Sequence, residues 1–210
     1  MTHSPRVLIV EDDTLTRTTM AAALTAAGIT VAGEASTAAM ALRVFDEVGA
    51  EVALIDLDLG SGPTGIDLAS ELRKRDSRIG LVILTSFDDP RLLDSGLTRL
   101  PAGATYLRKK QISSVSDVHK AVTDAYHAPV TGTKSVEVRS HDLTDAQFSL
   151  LRDIAKGLTN AQIADARDIS VSAVEKSISR LAKALGISES TGNQRALLIQ
   201  SYLRMSGRDV

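Results

Sequence analysis

Five short apolar runs recur through the first half of the chain: RVLIV (6–10), ITVAGE (29–34), VALID (52–56), LVILT (81–85) and TYLR (105–108). Most are apolar at consecutive positions, so a strand built from them needs cover on both faces. The stretches 14–27, 37–48 and 65–75 between them have helical spacing, and 113–127 follows the last run. Strands that need cover on both sides, alternating with helices that can supply it, predict an α/β fold with a doubly wound five-stranded parallel sheet. The fourth intervening stretch, DDPRLLDSGLTRLPAG (88–103), is the least regular. It carries Gly96 between Pro90 and Pro101, and reads as a loosely held helix.

The pattern then changes. Residues 128–142, APVTGTKSVEVRSHD, are small, polar and without helical period, and read as a linker; VEVRS within them is left unassigned. From Leu143 onward every periodic stretch is helical. Thr144 is the expected N-cap of a first helix that ends at Gly157. A short second helix opens at Thr159 or Asn160, a third runs from Ser170 to Gly186, and a last one spans roughly 193–205. This gives two domains, 1–127 and 143–210, joined by 128–142, the second small and all-α. Residues 1–130 hold 13 Lys and Arg against 17 Asp and Glu, whereas 131–210 hold 11 against 9. The slight basic excess of the second part allows a nucleic-acid partner without establishing one. The chain has no cysteine, which excludes disulfides and thiolate chemistry and fits the cytoplasm. No apolar run reaches membrane-spanning length.

In a parallel α/β sheet the carboxyl ends of the strands open on one edge, where ligands bind. The first strand delivers Glu11, Asp12 and Asp13 there, the third Asp56 with Asp58 two residues on, and the fourth Thr85 and Ser86. Lys109 and Lys110 follow the fifth. Crowded carboxylates are costly without a cation. As hard oxygen ligands they suit Mg²⁺. An Asp beside such an ion can attack phosphorus to give an aspartyl phosphate, with metal and Lys offsetting the phosphoryl charge.

These residues, in VEDD, LIDLDL, LTS and GATYLRK, resemble the receiver domain of two-component response regulators over residues 6–125. The resemblance implies a sheet order of 2-1-3-4-5. It implies Asp56 as phosphoacceptor, and Glu11, Asp12, Asp56 and the backbone carbonyl of Asp58 as Mg²⁺ ligands. It also implies Thr85 as switch hydroxyl, Lys109 as partner of the phosphoryl group and Tyr106 as a switching aromatic. Asp13 reads as the acid that opens the first helix. Two departures stand out. The family pattern D-x-x-M-P-x-x-x-G is here DLDLGSGPTG, one residue longer, with Gly60 in the Pro position, and Lys110 replaces the Pro or Asp that commonly follows the Lys.

The segment 143–186 resembles the DNA-binding domain of LuxR/NarL-type regulators, through GLTNAQIA and ISVSAVE. That resemblance implies a helix-turn-helix with 160–166 as scaffold and 171–185 as recognition helix. Val174, Ile178, Leu181 and Leu185 share one face and are expected in the core with Ile154, Ile163 and Ile169. Ser172, Ala173, Lys176, Ser179, Arg180 and Lys183 lie on the opposite face, toward DNA. Glu175 stands where the family usually has Lys. The last helix, with Leu197, Leu198, Ile199, Tyr202 and Leu203, has more apolar residues than one core stripe needs; the family uses it as a dimer seam.

The expected function is a non-enzymatic, phosphorylation-controlled transcription regulator. Its expected partners are double-stranded DNA, a sensor histidine kinase and, on activation, a second copy of itself, with no membrane. Two alternatives remain open: a receiver that serves without phosphate, and, more distantly, a phosphatase of the haloacid-dehalogenase type, since LIDLDLGSG loosely resembles its DxD motif.

Overall fold

The computed structural model describes residues 4–93, 100–128, 142–188 and 193–208. Contacts divide the chain into two compact units. Among the described residues the first takes in 4–86 and 100–128, and the second 87–93, 142–188 and 193–208.

In the first unit, β1 (Arg6–Val10), β2 (Thr30–Ala35), β3 (Val52–Asp56), β4 (Gly80–Thr85) and β5 (Thr105–Arg108) form one sheet in the order β2-β1-β3-β4-β5. Every pairing is parallel. Residues 52–56 and 80–85 are buried throughout, as runs apolar on both faces require. Helices α1 (Thr14–Ala26), α2 (Ala38–Val48), α3 (Gly65–Arg75) and α4 (Val115–His127) supply the cover. One core cluster joins Leu24 of α1 and Val118, Ala121 and Val122 of α4 to Val7, Ile9, Leu54 and Val82 of the sheet.

Capping chemistry fixes where the helices begin. Asp13 accepts from the Thr16 amide at the head of α1, and Thr37 from the Met40 amide at the head of α2. Thr64 and Asp67 form a reciprocal capping box on α3. Strand β2 starts at Thr30, one residue later than the sequence suggests, because the Ile29 amide is spent on the Leu24 carbonyl at the end of α1.

Within 88–103 the described residues depart from the expected helix. A single 3-10 turn forms at Pro90–Leu92, and 94–99 lie outside the described residues. Of the expected linker, 129–141, with VEVRS, lie outside them too.

The second unit contains α5 (Asp145–Ala155), α6 (Asn160–Ala166), α7 (Val171–Ala184) and α8 (Gln194–Met205), packed with the turn at 90–92. Thr144, Thr159 and Ser170 are the N-caps of α5, α6 and α7. Phe148, Leu151, Ile154, Ile163, Val174, Ile178 and Leu181 fill its core. Leu185 is half-buried. Ile169 corrects the expected core: it is 43% exposed. It follows Asp168, whose φ of 52° ends the turn after α6, and its amide is tied back to the Ala164 carbonyl, which leaves the side chain outside. On α8 Leu198 is buried, and Leu197, Ile199, Tyr202 and Leu203 are half-buried. Among the described residues no helix is long and apolar enough to cross a membrane.

Candidate phosphoryl-acceptor and DNA-binding sites

Asp56 is the last residue of β3, opposite Leu84 of β4, and only 9% exposed. Glu11 follows β1 and is 3% exposed. The Lys109 ammonium donates to Glu11 Oε2 at 2.8 Å and to Asp56 Oδ2 at 2.8 Å. Asp12 is exposed beside them, and one carboxylate oxygen from each of Glu11, Asp12 and Asp56 lies within 4.8 Å of the other two. The adjacent Glu11 and Asp12 therefore meet Asp56 and Lys109, both far along the chain, at the carboxyl edge of the sheet.

Electrostatically the site is under-compensated. Burial pushes the Glu11 carboxyl up to about 7, with the Asp56 charge adding to the rise against the pull of Lys109. Burial likewise raises Asp56, and Lys109 only partly offsets it. Lys109 loses hydration too, yet the charges of Asp56 and Glu11 outweigh this and hold it firmly protonated. Two buried acids share this ammonium, and the exposed Asp12 lies beside them. The donor set is all hard oxygen with surplus negative charge, which fits Mg²⁺.

Other expected residues lie near in the fold. Thr85 ends β4 and is fully buried. Tyr106, half-buried, pairs with Ile83. The Asp58 amide points to Asp56 Oδ1 at 3.5 Å, and its carboxylate accepts from the Gly60 amide at 3.2 Å. Gly60 takes a φ of +77°, and a Cβ there would lie 3.6 Å from Asp12 Oδ2. The extra residue of this loop is thus absorbed by left-handed backbone that Pro could not adopt. Gly65 closes the loop: a Cβ would sit 2.0 Å from the Asp56 carbonyl oxygen.

Sequence reasoning missed Arg17. Its guanidinium donates to the Glu11 carbonyl at 2.7 Å and the Asp12 carbonyl at 3.4 Å. Its Nε lies 3.7 Å from the Glu34 carboxylate. The available signal was position, since a first-turn helical side chain leans back over the residues before its helix.

In the second unit α7 is strongly amphipathic. Ser172, Lys176, Ser179, Arg180 and Lys183 are exposed, as is Glu175, and Ala173 is half-buried. Lys176, Arg180 and Lys183, spaced by four and three residues, form a row of cations on one face.

Residues 7–123 match the response regulator receiver domain, and 141–193 match the luxR family of bacterial regulatory proteins. The chain is 30% identical to the DNA-binding transcriptional activator DevR/DosR of Mycobacterium tuberculosis, over 89% of this chain and 90% of the relative. It is 28% identical to the response regulator VraR of Staphylococcus epidermidis, over 89% and 92%. In fold it is similar to the RcsB response regulator of Salmonella typhimurium, with a TM-score of 0.56 at 17% identity, covering 97% of this chain and 99% of that one.

Proposed function

The chain belongs to the response regulators that join a receiver domain to a luxR-type DNA-binding domain, and on that premise we propose that Asp56 is its phosphoacceptor and α7 its DNA-reading helix. It is a DNA-binding regulator, homologous to named transcription regulators, and not a phosphatase by family. Its functional division is receiver 1–127, linker 128–142 and DNA-binding domain 143–210, although the compact unit holding the DNA-binding helices also takes in 87–93. It acts in the cytoplasm, downstream of a sensor histidine kinase.

The observation that carries the phosphoacceptor reading is the shared ammonium: Lys109 holds the buried Asp56 and Glu11 together, 2.8 Å from each. An Oδ of Asp56 attacks phosphorus, and the bond from phosphorus to the donor breaks. The donor leaves with the electron pair, and an aspartyl phosphate remains. Mg²⁺ held by Glu11, Asp12, Asp56 and the Asp58 carbonyl would act as a Lewis acid on the phosphoryl oxygens. Lys109 trades part of its contact with Asp56 for a phosphoryl oxygen. The new group brings a charge of about −2, which draws the Thr85 hydroxyl inward and lets Tyr106 follow. The C-terminal domains then pair through α8 and bind two half-sites about one helical turn apart.

Incubation with acetyl phosphate and Mg²⁺ followed by intact mass tests this. The expected result is a phosphate-sized adduct on the wild type and none on Asp56→Asn. No adduct on the wild type would leave a DNA-binding regulator whose receiver works without phosphate. For DNA, affinity should fall steeply with salt. Arg180→Ala should weaken binding and flatten the log–log salt slope by about 1. A flat salt response of the wild type would remove the assignment of α7.

A further inference from the structure

We propose that Arg17 is a positioning residue for the phosphoryl-acceptor site, clamping the backbone that presents Glu11 and Asp12; the inference rests on the functional reading above. The two acids lie on the short turn between Val10, the end of β1, and Thr14, the start of α1. A turn of this kind has few ways to be held. The Glu11 amide is taken by the Ala35 carbonyl, and the Asp13 amide by the Asp12 carboxylate. The carbonyls of Glu11 and Asp12 both point to Arg17 Nη1, at 2.7 and 3.4 Å. Nη2 reaches the Thr14 hydroxyl at 3.3 Å, and Nε faces Glu34 on β2 at 3.7 Å. The side chain is only 15% exposed. One planar fork therefore spans both acid-bearing residues, the first residue of α1 and the neighbouring strand.

Of Glu11 and Asp12 the guanidinium grips only the main chain and so occupies neither carboxylate. Its planar set of donors is the property a lysine lacks. Partners that orient ligands without touching the metal commonly set its affinity. Charge alone predicts the opposite effect, because removing a cation beside an acidic site should tighten the binding of another cation. The sign of the change therefore separates positioning from electrostatics.

The test uses the full chain and MgCl₂ alone, followed by amide chemical shifts, which also report whether each variant is folded. Arg17→Ala should weaken Mg²⁺ about tenfold. Arg17→Lys keeps stem and charge but not the fork; it should be weakened too and serves if the Ala variant does not fold. In acetyl phosphate reactions the half-saturating Mg²⁺ should rise by the same factor, while the rate at saturating Mg²⁺ stays within about threefold. General loosening of the fold would lower that plateau as well. Glu34→Gln cuts only the tie to β2 and should shift half-saturation less than about twofold. Unchanged or tighter Mg²⁺ binding by Arg17→Ala and Arg17→Lys overturns the inference alone, as does a Glu34→Gln that reproduces their effect. A wild type that takes up neither Mg²⁺ nor phosphate overturns the functional reading and this inference with it.

Discussion

Lys109 in the first unit and Arg91 in the second are both cations set between two acids, yet they do opposite work. Arg91 holds Asp89 with two parallel bonds, Nε at 2.9 Å and Nη2 at 2.8 Å, and gives Nη1 to the Leu143 carbonyl and to Asp145, each at 3.0 Å. Its guanidinium carbon lies 4.3 Å over the Phe148 ring. Arg152 donates to the Arg91 carbonyl, and the Asp89 side chain is fully buried. The hydrogen bonds that Arg91 donates to Asp89 outweigh burial and hold Arg91 above its already high ordinary range. Here the cation is matched to its acids, with backbone partners taking up the remaining donors. At Lys109 a single ammonium faces two buried carboxylates, with Asp12 beside them, and burial works against ionisation of both Glu11 and Asp56. A satisfied cluster fixes a fold, whereas an under-compensated one is prepared to take up a cation or a phosphoryl group.

The comparison is most sharply tested at Arg91. Arg91→Met strands the Asp89 carboxylate in the core and should cost about 3–5 kcal/mol, read from urea unfolding of the full chain. Adding Asp89→Asn should recover a large part of the loss. If the single variant unfolds like the wild type, the cluster is ornamental and the contrast with Lys109 fails.

Gly65→Ala should come next, at about 3 kcal/mol, the upper end for overpacking. The added Cβ would meet the backbone of Asp56 and Leu57 at 2.0–3.0 Å, where no side chain can give way. Because the clash lies on Asp56 itself, adduct formation with acetyl phosphate should fall along with stability. Lost stability with normal adduct formation would show that the loop does not hold the acceptor in place.

The strands were legible because their runs are apolar on both faces, and several helix starts because Asp13, Thr144 and Ser170 cap them. The acids were legible because a parallel sheet gathers the ends of its strands. Arg17 and Arg91 were not. Arg17 binds main-chain carbonyls, so its first-turn position is the one hint the sequence holds, and Arg91, within DDPRL, reads like any exposed charged turn. The outward Ile169 follows from one left-handed residue, Asp168, which periodicity does not register. In the described part of the helix expected over 88–103, residues 90–92 form a 3-10 turn for a related reason: residues 88–93 are held by partners far along the chain, such as the Met205 carbonyl on the Asp88 amide.

Removing one acid should have opposite signs in the two clusters. Asp89→Asn weakens a matched pair and destabilises. Asp56→Asn relieves a crowded one and should stabilise by about 1 kcal/mol in Mg²⁺-free buffer at pH 8. The sign follows from Glu11. Its folded value, about 7, lies above its ordinary 4.5, so the folded state keeps a proton that the unfolded state has lost. Stability is full below the ordinary value and falls as pH rises toward 7. Asp56→Asn removes one cause of that rise, so its advantage should grow across the same window. Thermal melts at pH 5 and 8 check it, and a destabilised Asp56→Asn would mean that Lys109 satisfies both acids after all.

Asp117 asks whether a carboxylate needs a cation at all to be satisfied. It is half-buried at the head of α4 and accepts from the Ser113 amide at 2.8 Å and the Ser114 amide at 3.0 Å. Those bonds hold it below its ordinary value of 3.8. A depressed acid stabilises the fold above its ordinary value, and that contribution is lost as pH falls through the lower folded one. Asp117→Asn keeps an acceptor but no charge. It should have the smallest effect of the four at neutral pH, and the gap to the wild type should close on acidification below 3.8. A gap that persists there would assign the cap to shape rather than charge. Closure would put Asp117 with Asp89 among the matched acids and leave Glu11 and Asp56 as the exceptions, which is where chemistry is expected.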